Sequence, residues 1–138
     1  MEQRIGYMFK LINDKLKVSA DEDLKKHGIT LSQSHVLAFL TSRGNQATQK
    51  EIEDFLEVSH PTVVGLVSRM EKKGFLVTWT YKADKRNKIV SLTDKAISVS
   101  EDMRSVVEAK DKALLNSLTQ QQIEDLINTL NIIYKNLE

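Results

Sequence analysis

The sequence predicts a mainly α-helical fold carrying one small β-hairpin. Three observations lead there. Apolar residues recur at helical spacing through most of the chain, and a serine or threonine cap precedes nearly every such stretch. The period drops from 3.6 to 2 only between Phe75 and Leu92. One proline, Pro61, and five glycines leave little room for linkers in 138 residues, so nearly all of the chain should be regular structure.

Ile5, Met8, Phe9, Ile12 and Leu16 form the stripe of a first helix, which runs to about His27 and stops at Gly28. Thr30-Leu31-Ser32-Gln33 is a capping box, in which hydroxyl and amide satisfy each other's orphan backbone groups. Val36, Leu37 and Leu40 follow as the stripe of a second helix, ended by Gly44. A second box, Thr48-Gln49-Lys50-Glu51, opens a short helix with Ile52, Phe55 and Leu56 inward, broken at Glu57-Val58-Ser59. Ser59 caps the next helix, with Pro61 in the first turn, where a missing amide hydrogen costs nothing. That helix turns Val63, Leu66, Val67 and Met70 inward and stops at Lys72-Lys73-Gly74. Phe75, Val77, Trp79 and Tyr81 then alternate with Leu76, Thr78 and Thr80 as a strand. A polar tip over 82–88 leads to a return strand, Ile89 to Leu92. Thr93 caps a long helix bearing Ile97, Met103, Val106, Val107, Leu114 and Leu115, and the box Thr119-Gln120-Gln121-Gln122 opens the last one. There Ile123, Leu126, Ile127, Leu130, Ile133, Tyr134 and Leu137 make a near-continuous stripe.

Composition narrows the function. Hydrophobic residues at 41% suffice for a core and charged residues at 28% suit a protein in water. No apolar run reaches the ~18 residues of a membrane span, and the start lacks a signal-peptide pattern, so a cytoplasmic location is expected. The absence of cysteine excludes disulfides, thiolate metal sites and thiol-based redox sensing. His27, His35 and His60 sit on separate elements without a ligand pair four residues apart, which argues against a metal. There is no glycine-rich phosphate loop, cysteine nucleophile or suggestive histidine–carboxylate spacing, so neither catalysis nor a cofactor is expected. Charge is uneven. Between Arg69 and Lys88 seven basic residues (Arg69, Lys72, Lys73, Lys82, Lys85, Arg86, Lys88) face only Glu71 and Asp84, whereas from Glu101 onward seven acids outnumber four bases. Such a run is either a solvated surface or a phosphate-binding face with acidic helices kept away from it.

Two short helices joined by a tight turn and followed by a basic hairpin describe a winged helix-turn-helix. With Val63, Leu66, Val67 and Met70 inward, the second helix of the pair turns outward Ser59, His60, Pro61, Thr62, Val64, Gly65, Ser68, Arg69 and Lys72. A major groove accepts such a helix, its first residues deepest and Arg69 and Lys72 better placed for phosphates.

From Ala47 to Asp94 the chain resembles the MarR family of bacterial regulators. The clearest likeness is Asp84-Lys85-Arg86-Asn87-Lys88-Ile89-Val90-Ser91-Leu92-Thr93, which is similar to that family's D-x-R wing signature. Ile29-Thr30-Leu31-Ser32-Gln33, Met70-Glu71-Lys72-Lys73-Gly74-Phe75 and the order of six helices agree with it, and Ser59-His60-Pro61-Thr62-Val63 looks closest to the multidrug-responsive branch. The resemblance implies that Arg86 enters a minor groove, oriented by Asp84, with Lys85 and Lys88 among the DNA contacts. The bland alternative for Asp84 and Arg86 is an exposed turn pair. His60 and Gly65 depart from relatives, which often carry basic or polar side chains there. Gly65 also costs its helix about 1 kcal/mol relative to alanine, which either close DNA approach or internal packing would explain.

The resemblance further implies that residues 1–28 and 95–138 are dimerisation helices around a DNA-binding domain at 29–94. Ile5, Phe9, Ile123, Leu126, Leu130, Ile133, Tyr134 and Leu137 would form the interface, the alternative being that these stripes pack within one chain. It implies a repressor of a pseudo-palindromic operator, released by a small aromatic or amphipathic effector. Tyr7, Met8, Leu11, His35 and Phe39 would border that effector's cleft, or serve as core. The rival function is a winged-helix module for protein–protein assembly.

Overall fold

The structure, a computed structural model, describes residues 4–81 and 83–138, with the backbone only for Asp84, Lys85 and Arg86. Among these residues the order is α1 (Ile5–Lys26), α2 (Leu31–Ser42), β1 (Gln46–Thr48), α3 (Gln49–Leu56), α4 (His60–Lys72), β2 (Leu76–Tyr81), β3 (Asp84–Leu92), α5 (Asp94–Leu114) and α6 (Gln120–Asn136). Helix starts follow the caps. The boxes at Thr30, Thr48 and Thr119 are each hydrogen-bonded in both directions. Ser59 and Thr93 accept from the amides of Thr62 and Ala96. Two stops are equally local: Gly28 and Gly74 take φ of 69° and 81°, which a Cβ would resist. Beyond them the amides of Ile29 and Phe75 donate back to the carbonyls of Leu24 and Met70 at 3.1 and 2.9 Å.

Three expectations change. The hairpin is part of a three-stranded antiparallel sheet of order β1-β3-β2, in which Gln46, Ala47 and Thr48 pair with Ser91, Val90 and Ile89. Three residues are too few to show alternation, so β1 has no signal of its own in the sequence. The return strand begins at Asp84, not Ile89, and a register shift at Thr80/Tyr81 sets Tyr81 opposite Asp84. The outer ribbon leaves the core behind, so its polar residues pair without an apolar pattern to mark them. β2 starts at Leu76, because Phe75 is used in closing the end of α4.

By backbone contacts the chain forms two compact units, Met1–Met103 and Arg104–Glu138. In the first, Val36 and Leu40 of α2, Ile52 of α3, Val63, Val67 and Met70 of α4 and Val90 of β3 are wholly enclosed. Leu24 of α1 and Ala96 of α5 close this core, with Ile97, Val99 and Met103 packed against it, so the compact unit extends beyond 29–94 at both ends. The second unit holds the remainder of α5, a turn in which Ser117 takes φ of 71°, and α6, none of whose residues is buried. Among the described residues no helix is long and apolar enough to cross a membrane.

Candidate nucleic-acid interface

The α3–α4 pair is set by its ends. At the start of α3, Glu51 accepts from the Thr48 amide (3.2 Å) and hydroxyl (3.0 Å) while its own amide donates to the Thr48 hydroxyl (3.1 Å). The backbone hydrogen bond from Thr48, then its hydroxyl, hold the Glu51 carboxyl below the usual carboxylate range, with the Arg43 guanidinium adding to the effect. Arg43 also donates to Glu51 directly. On the same helix Asp54 pairs with Lys50 at 3.1 Å and raises that ammonium above its ordinary value. Glu57 then turns the chain through the left-handed region (φ 55°, ψ 41°), and α4 begins three residues after it.

On α4 the division between faces is clean. Val63, Leu66, Val67 and Met70 are buried, as the periodicity predicts, and Ser59, His60, Pro61, Thr62, Val64, Ser68, Arg69 and Lys72 are exposed. Gly65 is half-buried between them. The Ser59 and Thr62 hydroxyls lie 2.8 Å apart, closing the first turn. Next to them, Nδ1 of His60 meets Oε1 of Glu53 on α3. Arg69 folds along the helix, bringing Nη1 within 3.2 Å of where a Cβ on Gly65 would stand.

The basic run divides by role. Lys73, although exposed, is tied back to the unit, its ammonium donating to the Gly28 carbonyl (3.0 Å) and the Gln33 amide oxygen (3.2 Å). Lys95 donates to the Lys73 carbonyl at 2.6 Å and lies 4.8 Å from the centre of the Phe75 ring. These two ammonium groups fasten the end of α4. Arg69 and Lys72 stay exposed on it, and Lys88 is half-buried in β3 opposite Thr80. On the strand side, the Thr78 hydroxyl donates to Glu71, which ties β2 to α4. Lys82 and the side chains of Asp84, Lys85 and Arg86 lie outside the described residues, and with them the expected Asp84–Arg86 pair.

The residues proposed to border an effector cleft are scattered in character. Tyr7 and Leu11 are exposed on α1 and Met8 is half-buried there; on α2 His35 is exposed and Phe39 buried. Phe39 is committed elsewhere, its ring centroid 4.5 Å from that of Phe55 and 5.8 Å from the Arg43 guanidinium. Phe55, expected inward, makes that ring contact yet remains exposed. Of the expected interface residues, Ile123 and Ile133 are half-buried, while Ile5, Phe9, Leu126, Leu130, Tyr134 and Leu137 are exposed. Among the described residues no three histidine or acidic side chains gather as metal ligands.

Sequence reasoning missed Glu53, Gln33, Glu71 and Lys73 as the groups that orient the interface. Each acts across elements, at separations from 7 to 45 residues, which no local pattern records.

Comparison with known proteins places this geometry. Residues 27–86 match the model of the MarR family. The fold is similar to that of MepR, a transcription regulator of the Staphylococcus aureus multidrug efflux pump MepA, with TM-score 0.84 and 26% identity over 99% of this chain and 100% of that one. It is similar to the S. aureus MepR–DNA complex at TM-score 0.80 and 27% identity, over 96% and 99% of the two chains. A further match is S. aureus MepR in its DNA-binding conformation, with TM-score 0.70, 26% identity and coverage of 99% and 100%.

Proposed function

We infer that the chain is a transcriptional regulator of the MarR family, two copies of which bind a pseudo-palindromic operator and repress transcription. The observation that carries this reading is the division of α4. Its main apolar side is consumed by the core, so what it offers outward is a row of small polar groups, an imidazole and two cations, with Pro61 and Val64 among them. That is the chemistry of base edges and phosphates, and MepR, similar over nearly the whole chain, has been solved with DNA.

Within this reading, residues 29–94 contact DNA. Ser59, His60, Pro61, Thr62, Val64 and Gly65 enter the major groove, Ser68, Arg69 and Lys72 approach phosphates, and the wing residues Asp84, Lys85, Arg86 and Lys88 reach the flanking minor groove. Residues 1–28 and 95–138 hold the copies together. The exposed apolar stripes support this, Tyr134 and Leu137 being 68% and 81% exposed in the single chain. The regulator works in the cytoplasm, where its operator is, and performs no catalysis. A small amphipathic effector, taken up near Tyr7, Met8, Leu11 and His35, favours a form that no longer fits the operator.

The test is binding to the DNA upstream of its own gene, followed by fluorescence anisotropy across a salt series. Phosphate-driven binding weakens steeply, with a slope of about −0.9 per neutralised phosphate in logarithmic coordinates. An assembly module would show no such dependence.

A further inference from the structure

Glu53 and His60 make a contact that neither helix alone requires. The Glu53 side chain is only 11% exposed on α3, whereas the His60 side chain is 68% exposed at the first position of α4. Oε1 of the one meets Nδ1 of the other. A carboxylate can only accept, so the nitrogen that faces it carries the hydrogen. In a neutral imidazole the second nitrogen, Nε2, is then a bare lone pair directed away from Glu53.

We propose that Glu53 is a positioning residue that fixes the tautomer of His60, so that His60 presents a hydrogen-bond acceptor to the major groove and selects a base offering an amino donor there, cytosine or adenine. This role rests on the DNA-binding reading above and adds to it the sense in which one side chain reads. Amino donors on the major-groove edge are N4 of cytosine and N6 of adenine, while guanine presents only acceptors. Lysine or arginine at position 60 would only donate and would favour the opposite edge. The Ser59 and Thr62 hydroxyls, 2.8 Å apart, bond to each other in the same turn. The Glu53 side chain is largely enclosed, which gives its carboxylate little freedom to swing away from His60.

The full-length chain tests this in two ways. Long-range proton–nitrogen correlation spectra of the histidine rings, in alkaline buffer where imidazole is neutral, report which nitrogen of His60 bears the hydrogen, with His60→Gln supplying the assignment. Hydrogen on Nδ1 in the wild type and a shift toward Nε2 in Glu53→Leu, which removes the acceptor, are expected; the same tautomer in both overturns the assignment. Selection from randomised duplexes should enrich cytosine or adenine at one position per half-site. Both Glu53→Leu and His60→Ala should relax that position alone, weakening the preferred duplex roughly three- to tenfold. Unchanged selection in both variants overturns the role of His60 while leaving DNA binding intact. No enrichment by the wild type overturns both readings together.

Discussion

Gly65 and Arg86 are the two residues whose removal discriminates most sharply. Apart from the backbone of its own helix, the nearest atoms that a Cβ at Gly65 would meet belong to the far end of Arg69, the first at 3.2 Å. Internal packing therefore does not demand glycine, and the helix loses about 1 kcal/mol by having it. Gly65→Ala should raise thermal stability, because the Arg69 side chain is flexible enough to give way. It should also weaken operator binding if α4 lies close against the DNA backbone there. A stabilised variant of unchanged affinity would remove close approach as the reason for the glycine. Arg86→Ala bears on the wing. Losing a minor-groove arginine should reduce operator affinity by about ten- to a hundredfold, and near-unchanged binding at moderate salt would sink that assignment.

Elements depend on their ends. α3 is eight residues long, too short to persist on its own, so its capping box and its packing on the core carry it. Glu51 links that cap to α2 through Arg43, and its carboxyl is held low by the Thr48 hydrogen bonds. A depressed carboxyl contributes stability that is full above the unfolded value, about 4.3, and that is lost as pH falls through the folded value. Glu51→Gln keeps a capping side chain but loses the charge. Wild type should therefore exceed the variant near neutrality by a few tenths of a kcal/mol, since the group is well hydrated. Urea titrations should show that gap closing as pH falls below the unfolded value. A gap that persists in acid would assign it to shape, not charge. The far end of α4 is governed differently: Lys73, Gln33 and the Gly28 carbonyl clasp it to the start of α2, fixing the angle at which its exposed side is presented.

For the whole molecule, the question is what covers the terminal stripes. Ile5, Phe9, Ile12 and Leu16 on α1, and Leu126, Ile127, Leu130 and Tyr134 on α6, are exposed in one chain, an amount of apolar surface that a lone soluble protein seldom leaves open. Removal of residues 119–138 should give monomers in sedimentation and, by losing the second half-site, a large drop in operator affinity. A truncated chain that remains dimeric would refute the interface. The charge distribution fits the same division of labour. Free cations lie on α4 and the seven acids from Glu101 onward lie away from it in the sequence, so the field that draws DNA belongs to one part of the chain.

What the sequence determined by itself was everything that depends on near neighbours. Threonine, serine and glycine marked the helix limits, since caps and left-handed stops act within four residues. The spacing of Val63, Leu66, Val67 and Met70 assigned the buried side of α4, and so its outward side, because burial follows the helical period. The family resemblance was legible in the wing for the same reason, as a contiguous run from Asp84 to Thr93. The tertiary structure decided what distant residues do to one another. β1 exists because β3 is there to pair with it, and β3 runs back to Asp84 by ladder bonds that need no apolar pattern. Lys73, which composition counts as one more cation, is spent on an internal clasp. Glu53, unremarked on α3, sets the imidazole at the head of α4. Local chemistry selects the elements, whereas the sense in which a side chain meets its ligand is fixed by partners that only folding brings within hydrogen-bonding reach.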